Sequence, residues 1–135
     1  MDEGTGDISG RDSFCCSGEW LSDGHAVMSV QGELDLATAT QCRDVLDGLQ
    51  DRDAPYHLVV DLSQCTFIDS TGISFLVAAH RRVAAPLRVV APHEQVRMVL
   101  KVTSLDRAFV VHVTKAEALE AMRAHVAERG EGDTE

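Results

Sequence analysis

The chain has 135 residues, 44% of them hydrophobic, and a formal net charge of -10. That is enough apolar material for one domain with a single core. The acidity argues against an electrostatic grip on nucleic acid or on an anionic membrane surface. The longest apolar run, Phe75 to Ala79, is far short of the roughly 20 residues of a spanning helix. The start, Met1-Asp2-Glu3-Gly4, is acidic and lacks the apolar stretch of a signal peptide. The cytoplasm is therefore the expected compartment.

Acid gathers at both ends. Asp2, Glu3, Asp7 and Asp12 face only Arg11, and Glu128, Glu131, Asp133 and Glu135 face only Arg129. Both stretches are rich in glycine and polar residues and show no apolar period. Residues 1–13 and 129–135 are expected to be flexible acidic tails around one domain at 14–128.

Within that domain the periodicity alternates. Phe14, Cys16 and Trp20 recur at period two, as in an edge strand. Ser22-Asp23-Gly24 signals a turn, and Ala26 to Val30 completes a hairpin. Cys42, Val45, Leu46 and Leu49 share a helical face, with Thr38 or Thr40 as candidate cap. Leu58 to Leu62 reads as a buried strand. Ile73, Leu76, Val77, His80 and Val83 return to helical spacing, closed by Pro86. Leu87 to Ala91 reads as a strand, and Val96, Val99 and Leu100 as a helix. Phe109 to Val113 is the last strand, and Ala118, Leu119, Met122 and Val126 mark the last helix. A hairpin followed by alternating helix and strand implies an α/β domain: a mixed sheet, mainly parallel after the hairpin, with about four flanking helices. Phe14 and Trp20 would either join the core or leave a sticky sheet edge for self-association.

Most catalytic and metal chemistry lacks a signature. None of Cys15, Cys16, Cys42 and Cys65 forms a C-x-x-C pair, so packing thiols are expected. The six histidines show neither H-x-H nor H-x-x-x-H spacing. G-x-S-x-G, Walker and G-x-G-x-x-G loops are all missing. A small hydrolase using Ser70 would need a triad assembled in space. His80-Arg81-Arg82 reads as a cationic helix end favoured by the macrodipole, or as an anion or partner contact.

The segment from Asp61 to Val77 stands apart. A buried strand ends near Leu62, a short loop follows, and Asp69-Ser70-Thr71-Gly72 opens an amphipathic helix. Asp, Ser and Thr are N-capping residues. Gly72 would let another backbone or a partner come close. Ser70 would place a hydroxyl at a helix mouth whose first amides are unpaired, a place that attracts anions. The segment is either an ordinary capped helix or the site of a phosphoacceptor serine.

This stretch resembles the signature of the STAS family, in particular the bacterial anti-sigma factor antagonists: a strand, a loop ending in Asp-Ser-(Ser/Thr)-Gly, and a helix. Gly32-Glu33-Leu34-Asp35, followed by Ala37-Thr38-Ala39, is similar to the family's Gly-Glu-hydrophobic-Asp turn. The order of elements fits over residues 14 to 127. The resemblance implies a non-enzymatic partner switch. The unmodified antagonist binds an anti-sigma factor and frees a sigma factor for transcription. The anti-sigma factor is itself a serine kinase whose own site holds ATP and magnesium, and a metal-dependent serine/threonine phosphatase reverses the modification. By motif position the phosphoacceptor is Ser70, with Thr71 a second hydroxyl. Gly32, Glu33, Asp35, Asp69, Ser70, Thr71, Gly72 and Ser74 would border the partner surface. Ser74 stands where the family often has glycine, which bears on the partner's identity more than on the fold. The chain itself would need no cofactor or metal. A STAS-like domain can also serve, without a phosphorylation switch, as the binding subunit of a stress-sensing or membrane transport complex.

Overall fold

The computed structural model describes residues 14–22, 24–49 and 55–133, with side chains through residue 125. The expected tail at 1–13 lies outside the described residues. Cys15–Ser22 (β1) and His25–Leu34 (β2) form the antiparallel hairpin. It turns at Gly24, whose φ of 82° is a left-handed conformation that glycine adopts without steric cost. Helix and strand then alternate: Ala39–Leu49 (α1), His57–Ile68 (β3), Ser70–Arg82 (α2), Arg88–Val90 (β4), Glu94–Val102 (α3), Leu105–Ala108 (α4), Val110–His112 (β5) and Lys115–Asp133 (α5).

The five strands lie side by side in chain order, and β2 to β5 run parallel. Right-handed crossovers taken in one direction put their helices on one face. Side chains alternate accordingly. Met28, Val60 and Val89 join Leu46 of α1, Phe75 and Leu76 of α2, and Val96 and Leu100 of α3 in the main core. Val27, Val59 and Val90 point the other way and meet Ala118 and Met122 of α5. Phe14 and Trp20 pack against the main core, and the Trp20 ring meets Tyr56 edge-on at 4.8 Å. The core reading of these two aromatics holds.

Three expectations change. First, no loop separates Leu62 from Asp69. β3 continues through Ile68 because β2 also continues, pairing Gln31 with Gln64, Gly32 with Cys65, Glu33 with Phe67 and Leu34 with Ile68. Second, a fifth helix, the single turn α4, joins α3 to β5. Third, α5 runs on to Asp133, so residues 129–133 are helical, while 134–135 lie outside the described residues. Ala127, Glu128, Arg129 and Glu131 are good helix formers, which favours this despite Gly130 and Gly132.

Candidate functional site

The two sequence motifs sit at the carboxyl ends of β2 and β3, the edge of a parallel sheet where α/β proteins place their sites. On β2, Gly32 has a φ of 103° and falls at a shift in pairing register. A β-carbon there would meet the Phe14 Cα at 3.1 Å. Glu33 next to it is exposed, and Asp35 is half-buried in the following turn.

That turn is built by Asp35 and Thr38. The Asp35 carboxylate accepts from the Ala37 N–H at 3.0 Å and the Thr38 N–H at 3.3 Å. The Thr38 hydroxyl accepts from the Asp35 N–H at 2.9 Å and donates to the Glu33 carbonyl at 2.6 Å. The entry to α1 is therefore held chiefly by Asp35, with Thr38 bonding back toward β2.

At the end of β3, Asp69 is the N-cap of α2. One of its carboxylate oxygens accepts from the Thr71 N–H at 2.9 Å and the Gly72 N–H at 3.1 Å. The Ile73 N–H reaches the Asp69 carbonyl at 2.9 Å. The Thr71, Gly72 and Ile73 amides of α2 are thus already paired, against the expectation of an open anion mouth. Ser70 stands exposed on the first position of the helix, Thr71 is half-buried, and Ser74 is exposed one turn further along the same face.

Backbone contacts join the two motifs. The Asp69 N–H donates to the Leu34 carbonyl at 3.2 Å. Gly72 is buried over the same residue: a β-carbon on it would stand 2.7 Å from the Leu34 oxygen and 2.6 Å from Ile68 Cγ1. Gly72 therefore faces inward, where the close approach it allows is that of another backbone. It shapes the site from below and offers a partner no surface of its own. Glu33, Asp35, Asp69, Ser70, Thr71 and Ser74 lie above it on one edge. Two exposed apolar side chains flank them that no sequence signal singles out, Leu36 beside Asp35 and Phe67 before Asp69.

Among the described residues no cluster of His, Cys, Asp or Glu is arranged to hold a metal ion, and no helix is long and apolar enough to cross a membrane. The four cysteines are free thiols. Cys42 is pushed well above the usual thiol range by its hydrogen bond with Cys16 and by burial, and burial raises Cys65. Protonated thiols are poor nucleophiles and poor ligands, which applies to Cys42 and Cys65, while the hydrogen bond with Cys42 lowers Cys16. At the end of α2, Arg82 pairs with Asp47 at 2.9 Å, and the His80 ring lies 5.3 Å from Phe109. These contacts are what a cationic helix end packed on its neighbours should make. Arg88, buried on β4, donates to the His112 ring on β5 at 3.2 Å, an arrangement not foreseen from sequence.

A family model described as STAS domain matches residues 21–118. Over 103 residues the chain is 33% identical to the anti-sigma-F factor antagonist RsfB of Mycobacterium tuberculosis, a match spanning 75% of this chain and 84% of that protein. It superposes on the crystal structure of an anti-sigma factor antagonist from Mycobacterium paratuberculosis with a TM-score of 0.75 and 32% identity, over 86% of this chain and 99% of that one. It also superposes on the Bacillus cell fate determinant SpoIIAA in its phosphorylated form, with a TM-score of 0.59 and 21% identity, over 79% and 98% of the two chains. At that identity the second likeness is one of fold.

Proposed function

Because the chain belongs to the STAS domain family, among its anti-sigma factor antagonists, we propose that it operates a partner switch whose phosphoacceptor is Ser70. Unmodified, it binds an anti-sigma factor and releases a sigma factor. The anti-sigma factor is a serine kinase that brings its own ATP and magnesium, and a serine/threonine phosphatase restores the free hydroxyl. The chain contributes a binding surface and a hydroxyl, with no cofactor or catalytic group, and acts in the cytoplasm.

The observation that carries this reading is the exposed Ser70 hydroxyl beside an N-cap carboxylate that has already taken the nearby amides. Phosphorylation adds about -1.5 to -2 charges at pH 7. With Thr71 N–H and Gly72 N–H held by Asp69, that charge gains no new backbone donors from them. It stays in water in the free protein, so the fold tolerates it. In a complex it would be desolvated near Asp69, on an edge that also carries Glu33 and Asp35. Like-charge repulsion and lost hydration then act on the partner alone. A penalty on the order of 2–4 kcal/mol lowers affinity about 30- to 1000-fold.

The test is the intact mass of the protein from its own cells, with peptide mapping and a Ser70→Ala control, followed by binding of both forms to the anti-sigma factor. One phosphate on Ser70, absent in the control and weakening the complex, supports the switch. A phosphorylated form that binds as tightly as the unmodified one overturns it. An unmodified mass under all growth conditions points instead to a binding subunit of a stress-sensing or transport complex.

A further inference from the structure

β4 pairs with β3 only at Val59, Val60 and Asp61. Beyond that point β3 outruns its neighbour, and α3 stands where further strand would lie. The His93 ring meets the Ser63 carbonyl at 2.8 Å, just past the last β3–β4 pair. Further on, an open groove of about 470 Å³ remains between the end of β3 and α3. Phe67, Ile68, Val96, Met98 and Val99 make it apolar, and Glu94 stands on its wall. Phe67 is 49% exposed and Met98 51%, and Val102, one turn beyond Met98, is 74% exposed. Apolar side chains gathered so openly around one groove mark an interaction surface.

Resting on the partner-switch reading, we infer that this groove receives an apolar side chain of the anti-sigma factor, carried on a segment flanked by lysine or arginine. Continuity with the phosphoacceptor argues for that occupant. Ile68 both lines the groove and lies under Gly72, and Phe67 is three residues from Ser70. A stable interface covers about 800 Å² on each partner, wide enough to reach from Ser70 to Phe67 on the groove's rim.

Charge sets the chemistry of the flanks. Glu33 is paired with Phe67 across the strands, Glu94 lines the groove, and Asp69 directly follows the lining residue Ile68. Among the described residues no cation lines the groove. Arg97 is engaged elsewhere, donating to the carbonyls of Ala91 at 3.0 Å and Pro92 at 2.6 Å. A second copy of this chain, at a net charge of -10, would bring like charge to an acidic rim.

The test uses the anti-sigma factor kinase of the same cell, purified with ADP and magnesium, and calorimetric titration with four forms of the full chain: wild type, Phe67→Asp, Met98→Asp and Leu21→Asp. Leu21 is partly exposed on β1, at the opposite end of the sheet, and serves as the control. Both groove variants should weaken binding about 30-fold or more, with Leu21→Asp within about twofold of wild type. A photoreactive residue replacing Met98 should crosslink to the kinase, which covers the case in which a charged variant fails to fold. If wild type binds but the groove variants bind equally well, or position 98 captures nothing, the groove inference fails and the partner-switch reading stands. If wild type does not bind the kinase at all, both fall together.

Discussion

The Leu34 carbonyl oxygen lies 2.7 Å from the place a β-carbon on Gly72 would occupy, and the same oxygen accepts the Asp69 N–H at 3.2 Å. The end of β2 and the first turn of α2 are thereby fastened directly to each other. Two motifs separated by some thirty residues of sequence become one surface.

Gly72→Ala should reverse the usual effect of removing a glycine from a helix. Alanine ordinarily gains up to about 1 kcal/mol in that setting. Here the added methyl collides with a backbone oxygen and with Ile68, and overpacking of this kind costs about 1–3 kcal/mol. Urea denaturation of Gly72→Ala should show a clear loss of stability. Ser74→Ala, on the exposed face of the same turn, should stay within about 0.5 kcal/mol of wild type.

Asp69→Ala removes the side chain that caps α2 and should cost about 0.5–2 kcal/mol. Asp69→Asn keeps an acceptor oxygen and should recover most of that loss. Because Asn carries no charge, it should also reduce the effect of Ser70 phosphorylation on partner binding. Comparing both variants by denaturation and by titration with the anti-sigma factor separates the structural role of the carboxylate from its electrostatic one.

Leu46→Ala should be severe. Leu46 is fully buried where α1 packs in the main core, and leucine truncations at such positions cost about 2–5 kcal/mol. Leu36→Ala, ten residues earlier and 76% exposed, should leave the melting temperature almost unchanged.

His112 ties stability to pH. Burial and the neighbouring Arg88 guanidinium hold its imidazole below the usual value of 6.5, while Glu117 opposes them. Arginine can only donate, so the ring nitrogen it meets accepts and the ring is neutral. The unfolded chain takes up a proton near pH 6.5, whereas the folded chain does so only at lower pH. Stability from this residue is therefore lost as pH falls from about 6.5 toward the folded value. Denaturation at pH 7.5 and pH 5.5 should show a smaller difference in His112→Gln than in wild type.

The alternation of helix and strand was legible because each element buries a continuous apolar stripe. Leu58 to Leu62 and the spacing of Val45, Leu46 and Leu49 announce their elements without help from the rest of the chain. The extension of β3 was hidden because Ser63, Gln64 and Thr66 are polar residues on a half-strand with a neighbour on one side only. Such a half-strand has little apolar pattern to reveal it. The motifs single out Ser70 and Asp69 in the sequence, but the inward direction of Gly72 depends on where β2 ends. Arg88 and His112 came together only through the pairing of β4 with β5, which local spacing does not encode. Phe67 and Met98 drew no notice because an exposed hydrophobic residue and a buried one look alike in sequence.

The sheet is laid down in chain order, and its second face waits for the last helix. During synthesis β2 to β5 can each join a neighbour already made, while Val27, Val59 and Val90 remain uncovered until the residues from Lys115 onward leave the ribosome. A chain halted before that point would carry a paired sheet with an apolar back open to water, which is the form of intermediate that aggregates. Completion of α5 is thus the step that closes the second face of the sheet.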